Sequence, residues 1–275
     1  MRLAPLLVLL VLGCTGEKTG DDTGSGTGDN GGDSGGDSGG DSGGDSGGDS
    51  GGETGEEDPA DARVTGSVLH FDGSPAANIP MQFCETTCFL GETGTDGTFS
   101  FTDMEAGSYK LDAIGATVDP DLGWIRVHVE LGESQQFTVA DSLFLPRVYG
   151  PESFASGSAS FGAGLTVTAA ASALTVPFGY EDGEFWAGRV EGADIPSLWG
   201  VAPTVAVAFV PLATEVSGSI GVTMSDVADG TYDVYSVGAH GETEGPVGTA
   251  TASGGTLTAT GLTPTVLTWL LFVPR

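Results

Sequence analysis

Positive charge is scarce in this chain. Eight lysines and arginines stand against 38 aspartates and glutamates over 275 residues, a formal net charge of −30. No basic stripe exists to displace counterions from a phosphate backbone, so nucleic acid is excluded as a partner, and a broad contact with anionic lipid with it. Long apolar runs are equally few. The run Leu3–Leu12 is far shorter than the roughly 20 residues that a helix needs to cross a bilayer. Cysteine is limited to three. The three histidines, His70, His128 and His240, have no spacing that would complete a zinc site with Cys84 and Cys88, so no metal or other cofactor is expected. Between residues 62 and 148 no ten-residue window carries a 3.6-residue apolar period, which excludes amphipathic helices there.

What is present is unevenly distributed. Between Glu17 and Asp61 the one cation is Lys18, while acids recur every few residues. From Asp29 to Gly52 the chain is a four-residue repeat, Asp29-Asn30-Gly31-Gly32 followed by five copies of Asp-Ser-Gly-Gly. With no apolar side chain to bury, the segment has nothing to offset the entropy of ordering, and a flexible acidic linker is expected over residues 14–61. At 5–6 Å times the square root of length, its reach is about 35–40 Å, lengthened by like-charge repulsion. Each copy also spells Gly-Asp-Ser-Gly-Gly, the nucleophile loop of trypsin-like proteases. That chemistry needs a rigid oxyanion hole and a positioned His–Asp pair, which a tandem repeat does not supply. Calcium rolls use a nine-residue period with an inward apolar position, also absent here. Asp141-Ser142-Leu143 lacks the glycine of a lipase motif, since Ala140 stands there.

The N-terminus combines Met1-Arg2, the apolar run Leu3–Leu12, and Val11-Leu12-Gly13-Cys14. This reads as a secretory signal over residues 1–13, and its end resembles the lipobox of bacterial lipoproteins. The resemblance implies that Cys14 is acylated on sulfur, freed from Gly13 and acylated again on its new amino group. Two or more acyl chains, at about 0.8 kcal/mol per buried methylene, make a lasting anchor where one would not. Thr15 in place of aspartate implies, by the same resemblance, an outer-membrane destination. The partner expected first is therefore membrane lipid, through Cys14.

Residues 62–148 alternate like short strands. Val64, Gly66, Val68 and His70 share a face. Asp72-Gly73-Ser74-Pro75 and Thr95-Asp96-Gly97 are turns, and Phe99 and Phe101 share a face. From Trp124 to Leu131, Ile125, Val127, Val129 and Leu131 oppose Arg126, His128 and Glu130. Val64-x-Gly66-x-Val68, Gly73-x-Pro75, Ile79, Asp96-Gly97-x-Phe99-x-Phe101 and Gly107-x-Tyr109-x-Leu111 together resemble the carboxypeptidase regulatory-like domain. That family is a transthyretin-type sandwich, noncatalytic where it accompanies enzymes. An exported chain meets an oxidising compartment, so Cys84 and Cys88 are expected to close a short disulfide that fixes the Glu85-Thr86-Thr87 tip.

Residues 149–275 offer further strand candidates: 165–169, 173–177, 185–190, 204–209, 217–224, 231–237, 248–252, 256–260 and 267–273. Their spacing, with Gly, Asp and Pro between, predicts a second antiparallel β-sandwich of unknown family. The run Val266–Val273 is apolar except for Thr268, as in a strand buried on both faces. Tyr180, Trp186 and Trp199 lie near Glu181, Asp182 and Glu184, the aromatic and carboxylate mixture of sugar-binding faces. The competing reading is core tryptophans beside an acidic turn. Asp119 and Asp121 suit either a calcium loop or a proline-containing turn, and His128 with Glu130 reads as a surface pair.

The sequence thus predicts an all-β protein: two antiparallel sandwich units behind a Gly/Asp/Ser-rich stalk. The function expected is a noncatalytic, lipid-anchored envelope protein that displays these units, with an envelope polysaccharide or protein as a further partner. The alternative is a carbohydrate- or calcium-binding surface module.

Overall fold

The computed structural model describes residues 62–177, 180 and 183–275; Cys14, the acidic linker, Glu181 and Asp182 lie outside them. The described residues fall within one compact unit, Pro59–Arg275. They are all-β, and the helical pieces among them are single 3-10 turns.

Eight strands make the first layer pair: β1 (Ala62–His70), β2 (Pro80–Cys84), β3 (Cys88–Glu92), β4 (Thr98–Met104), β5 (Gly107–Ile114), β6 (Trp124–Leu131), β7 (Gln136–Thr138) and β8 (Leu143–Leu145). One sheet runs β4-β1-β7 with β8 also on β1, and the other runs β3-β2-β5-β6. Strand β1 is antiparallel to β4 but parallel to β7 and β8, which continue one another along it. The period-2 pattern explains the sandwich. Val64, Val68, Phe99 and Phe101 point from one sheet toward Phe83, Tyr109, Leu111, Val127 and Val129 of the other, and all are buried. Phe83 is the keystone, stacked on Tyr109 at 4.4 Å and Phe101 at 5.4 Å between ring centroids.

The remaining strands are β9 (Tyr149–Glu152), β10 (Ser158–Phe161), β11 (Leu165–Ala169), β12 (Leu174–Thr175), β13 (Phe185–Glu191), β14 (Val205–Val210) and β15 (Thr214–Val216). They continue with β16 (Ile220–Met224), β17 (Gly230–Val237), β18 (Thr243–Ser253), β19 (Thr256–Leu262), β20 (Val266–Leu267) and β21 (Trp269–Pro274). Ten of them form one antiparallel sheet, β10-β11-β16-β19-β18-β17-β21-β14-β13-β9, and β12-β15-β20 form a small second one. The large sheet coils until its terminal strands β9 and β10 lie side by side. Its concave face encloses a second core that includes Phe161, Val167, Val222, Leu257, Val234, Phe272, Val207 and Phe185. The two terminal strands touch without pairing in a ladder, so the sheet is curled rather than closed.

The strand positions of the second unit follow the sequence pattern, with instructive departures. Strand β18 begins at Thr243 rather than 248, because the hairpin with β17 extends through a register shift. The segment expected at 267–273 breaks at Thr268, whose buried hydroxyl donates to Val237 O. On either side Leu267 and Trp269–Phe272 are buried, as is the whole of β14. These strands are buried twice over. Val207, Leu270 and Phe272 face the coiled-sheet core, while Ala206, Ala208, Trp269 and Leu271 join the core of the first sandwich.

That shared core makes the joint, and β6 carries it. Its Arg126 was expected on a polar strand face, yet it is buried beneath the second unit. The guanidinium meets its cross-strand partner Asp112 in a fork, Nε to Oδ1 and Nη2 to Oδ2 both at 2.7 Å, and Nη1 donates to Ala239 O at 2.9 Å. Burial disfavours the guanidinium charge, and the Asp112 carboxylate more than restores it, so the Arg126 pKa sits above its ordinary value. Two indoles add to the seam: Trp199 Nε1 donates to Arg126 O at 3.1 Å and Trp269 Nε1 to Trp124 O at 3.0 Å. Backbone also meets backbone there. A Cβ on Gly188 would collide with Arg147 O, and one on Gly241 with the Val127–His128 peptide.

Removing one partner of such a pair leaves a desolvated charge. Asp112→Ala is expected to cost about 3–5 kcal/mol in denaturant unfolding, and Asp112→Ala with Arg126→Met considerably less. A second measurement concerns Tyr180, largely buried, whose phenol burial pushes up to about 12. The unfolded chain releases that proton near 10.0, so the contribution is complete below that pH and is lost as pH rises through about 12. Tyr180→Phe should flatten the stability loss in that window while leaving neutral-pH stability nearly unchanged.

Candidate functional site

The outer face of the coiled sheet is built by simple alternation. In Thr249-Ala250-Thr251-Ala252-Ser253 and Thr256-Leu257-Thr258-Ala259-Thr260, the apolar residues go inward and the hydroxyls outward. Gly254 and Gly255, both at positive φ, make the tight turn between them. Across the sheet, register then aligns one hydroxyl per strand. Ser160 pairs with Thr166, Thr166 with Thr223, Thr223 with Thr258, Thr258 with Thr251, and Thr251 with Thr231. The row crosses five inter-strand spacings, about 24 Å. Ser158–Thr168 and Ser253–Thr256 flank it.

No charged residue interrupts the row. Ser160 and Thr166 bond each other at 3.2 Å. The hydroxyls of Thr223, Thr258, Thr251 and Thr231 make no hydrogen bond among the described residues. The outer face of the first sandwich differs. Around a shallow groove of about 570 Å³, Ser67 and Ser142 bond at 2.8 Å, Thr65 and Thr138 at 3.2 Å, and Arg63 Nε donates to Ser100 at 3.1 Å. Its polar groups satisfy one another, whereas the ladder offers free donors and acceptors in an uncharged array on the convex side of the coiled sheet. Such an array suits a neutral polyol surface rather than a phosphate or a cation. The signal for it, T-x-T alternation on both arms of a Gly-Gly hairpin, is present in the sequence, but only the register shows that other strands extend it.

The aromatic residues weighed for a sugar site do not meet, and Trp199 is the core residue of the competing reading. Trp199 is buried in the joint, at 5.0 Å from the Trp269 ring, and has no open face. Trp186 is half-buried on β13 opposite Val210, and the Gly150 backbone lies against its indole. Tyr180 lies largely buried beside the undescribed residues, and no ring contact joins the three. Cys84 and Cys88 form a disulfide between facing residues of the β2–β3 hairpin. In the 119–121 turn, Asp121 N–H donates to Asp119 Oδ1 at 2.9 Å. No group of three His, Cys, Asp or Glu that could hold a metal occurs among the described residues.

His128 and Glu130 do approach, at 2.7 Å, and Ser108 on β5 joins them, 3.0 Å from Glu130 and 3.4 Å from His128. The His128 and Ser108 hydrogen bonds hold the exposed Glu130 carboxyl below its usual range. Serine and glutamate both address Nε2, while Nδ1 is buried without a partner. A nucleophile relay needs them on opposite ring nitrogens, so this trio is a surface network. Arg189 is also spent structurally, on Ser225 O, Asp226 O and Glu191, latching β13 to the turn after β16.

No protein-family model matches the chain, and no curated protein matches it. Among solved structures it is similar to a DUF3823 family protein from Bacteroides ovatus ATCC 8483. That likeness has 10% sequence identity and a TM-score of 0.25, and covers 78% of this chain and 82% of the other. It is too slight to carry fold or function across.

Proposed function

We propose that this is a noncatalytic, lipid-anchored protein of the cell envelope that displays a rigid β body at the end of an acidic stalk. The observation that carries the reading is the order of segments: apolar leader, Gly13-Cys14, 47 residues (15–61) with no aromatic or branched apolar side chain, then the folded unit. Repelled by an anionic surface, the stalk holds the body away from the membrane. Two arginines of that body support a structural role, since Arg126 and Arg189 are committed to joints. The sandwich order β3-β2-β5-β6 over β4-β1-β7 supports the carboxypeptidase regulatory-like reading of its first part. Cys14→Ser is expected to abolish labelling by radioactive palmitate and to move the protein from the membrane fraction to the soluble fraction. Retention of Cys14→Ser in washed membranes would overturn the anchor.

The hydroxyl ladder favours a second reading, in which the displayed surface contacts a neutral polysaccharide. The double variant Thr223→Arg, Thr258→Arg places two cations in the centre of the row without touching the core. It should lose at least about tenfold in affinity for any neutral glycan that the parent binds on an array. Equal binding by both would place the contact elsewhere.

A further inference from the structure

The most exposed apolar strand in the described structure is β3. All five of its residues are exposed, Phe89 at 42% and Leu90 at 59%. Among the described residues it is a terminal strand of its sheet, with β2 on one side and no strand on the other. The hydrogen-bond alternation fixes what that free side presents. Thr93 N–H donates to Ile79 O at 3.0 Å, and the same register pairs Met81 with Gly91 and Phe83 with Phe89. In an antiparallel ladder this turns the Phe89 and Gly91 backbones toward β2, and leaves the N–H and C=O of Cys88, Leu90 and Glu92 pointing outward. An unblunted edge carrying exposed Phe and Leu is a template for strand addition.

We propose that the occupant is β3 of a second copy, paired antiparallel about a two-fold axis at Leu90. In that register Leu90 faces the second copy's Leu90, and Phe89 lies over the second copy's Gly91. An aromatic ring is thereby set on the one residue of the strand that has no side chain to clash with it. Charge selects the same arrangement. Glu92 is the one ionised residue of β3, and the two-fold register sets it against the neutral Cys88 of the second copy, whereas parallel stacking would set it against another Glu92. The chain's own residues 15–61 do not fit the edge. They contain no Val, Ile, Leu, Met, Phe, Tyr or Trp and are rich in acid. Pairing merges the two β3-β2-β5-β6 sheets into one of eight strands. The β6 strands that carry the coiled sheets then lie seven spacings apart, about 33 Å. A contact of five-residue strands falls below the roughly 1,000 Å² of a stable dimer, so association is concentration-dependent. This inference does not rest on the lipid anchor.

Two measurements on the full chain test it. Facing residues of an outward hydrogen-bonded pair have Cα atoms about 5.5 Å apart, within disulfide range. Under mild oxidation, Leu90→Cys should give a covalent dimer at least about fivefold more abundant than the parent or Val118→Cys, a similarly exposed position (53%) outside β3. Leu90→Pro removes only an outward N–H, so the β2–β3 ladder survives, as circular dichroism would verify. It should raise the dimer dissociation constant by at least about tenfold in sedimentation equilibrium. The proposal is overturned by equal cross-linking in Leu90→Cys and Val118→Cys, or by a parent that stays monomeric at every concentration. Unchanged association of a folded Leu90→Pro variant, or cross-links from Leu90→Cys to a protein of different mass, would also overturn it.

Discussion

The fork between Arg126 and Asp112 holds the architecture at its most demanding point. A guanidinium and a carboxylate are removed from water on adjacent strands, and the desolvation this costs is offset only because each of the three guanidinium nitrogens finds an oxygen. The third bond, to Ala239, reaches the β17–β18 hairpin and so ties the first sandwich to the coiled sheet. Around it, indole donors and glycine backbones complete a seam in which strand edges and loop carbonyls meet directly. The pair does more for geometry than for net stability. An apolar replacement of both partners could fill the volume, but it would not fix which hairpin carbonyl lies over which strand.

The rest of the body is arranged around this seam. Strands β14 and β21 are hydrophobic on both faces because each lies in two cores, one enclosed by the coiled sheet and one shared with the sandwich. Strands on the far side, β10, β11, β16, β19 and β18, have one core face and one wet face. Their alternation of Ala, Val or Leu with Ser or Thr is the direct consequence. The same tyrosine device recurs in both units: Tyr109 and Tyr232 each donate to a carbonyl four residues upstream, at 3.0 and 2.7 Å, closing the turn before a long strand. Polar chemistry divides accordingly. The buried cations serve joints, and the uncharged hydroxyls are left to solvent.

Two surfaces remain with unspent capacity, and they differ in kind. The ladder is a side-chain surface whose hydroxyls repeat with the strand spacing, a geometry suited to an extended neutral partner. The β3 edge is a backbone surface whose specificity comes from register and from the small size of Gly91. The disulfide at Cys84–Cys88 sits at the end of that edge and holds the hairpin that presents it.

Composition and alternation by themselves determined much of this protein. The tract from Asp29 to Gly52 has nothing to bury, period-2 patterning made every long element a strand, and the apolar run Val266–Val273, interrupted at Thr268, marked a strand with two buried faces. The Phe99/Phe101 face and the His128–Glu130 pair were also legible, since both depend on residues two apart on one strand. What tertiary structure alone decided are relations between distant residues. Arg126 looked like a solvated residue on a polar face because nothing local encodes the hairpin at Ala239 that covers it. Trp199 could be read as a core residue or as a sugar platform, because its burial depends on β6 and Trp269. The hydroxyl row exists only when six strands are in register, and the outward direction of the Leu90 backbone follows from a hydrogen bond made at Thr93. Local patterning sets which way a side chain points; only long-range pairing sets what it meets there.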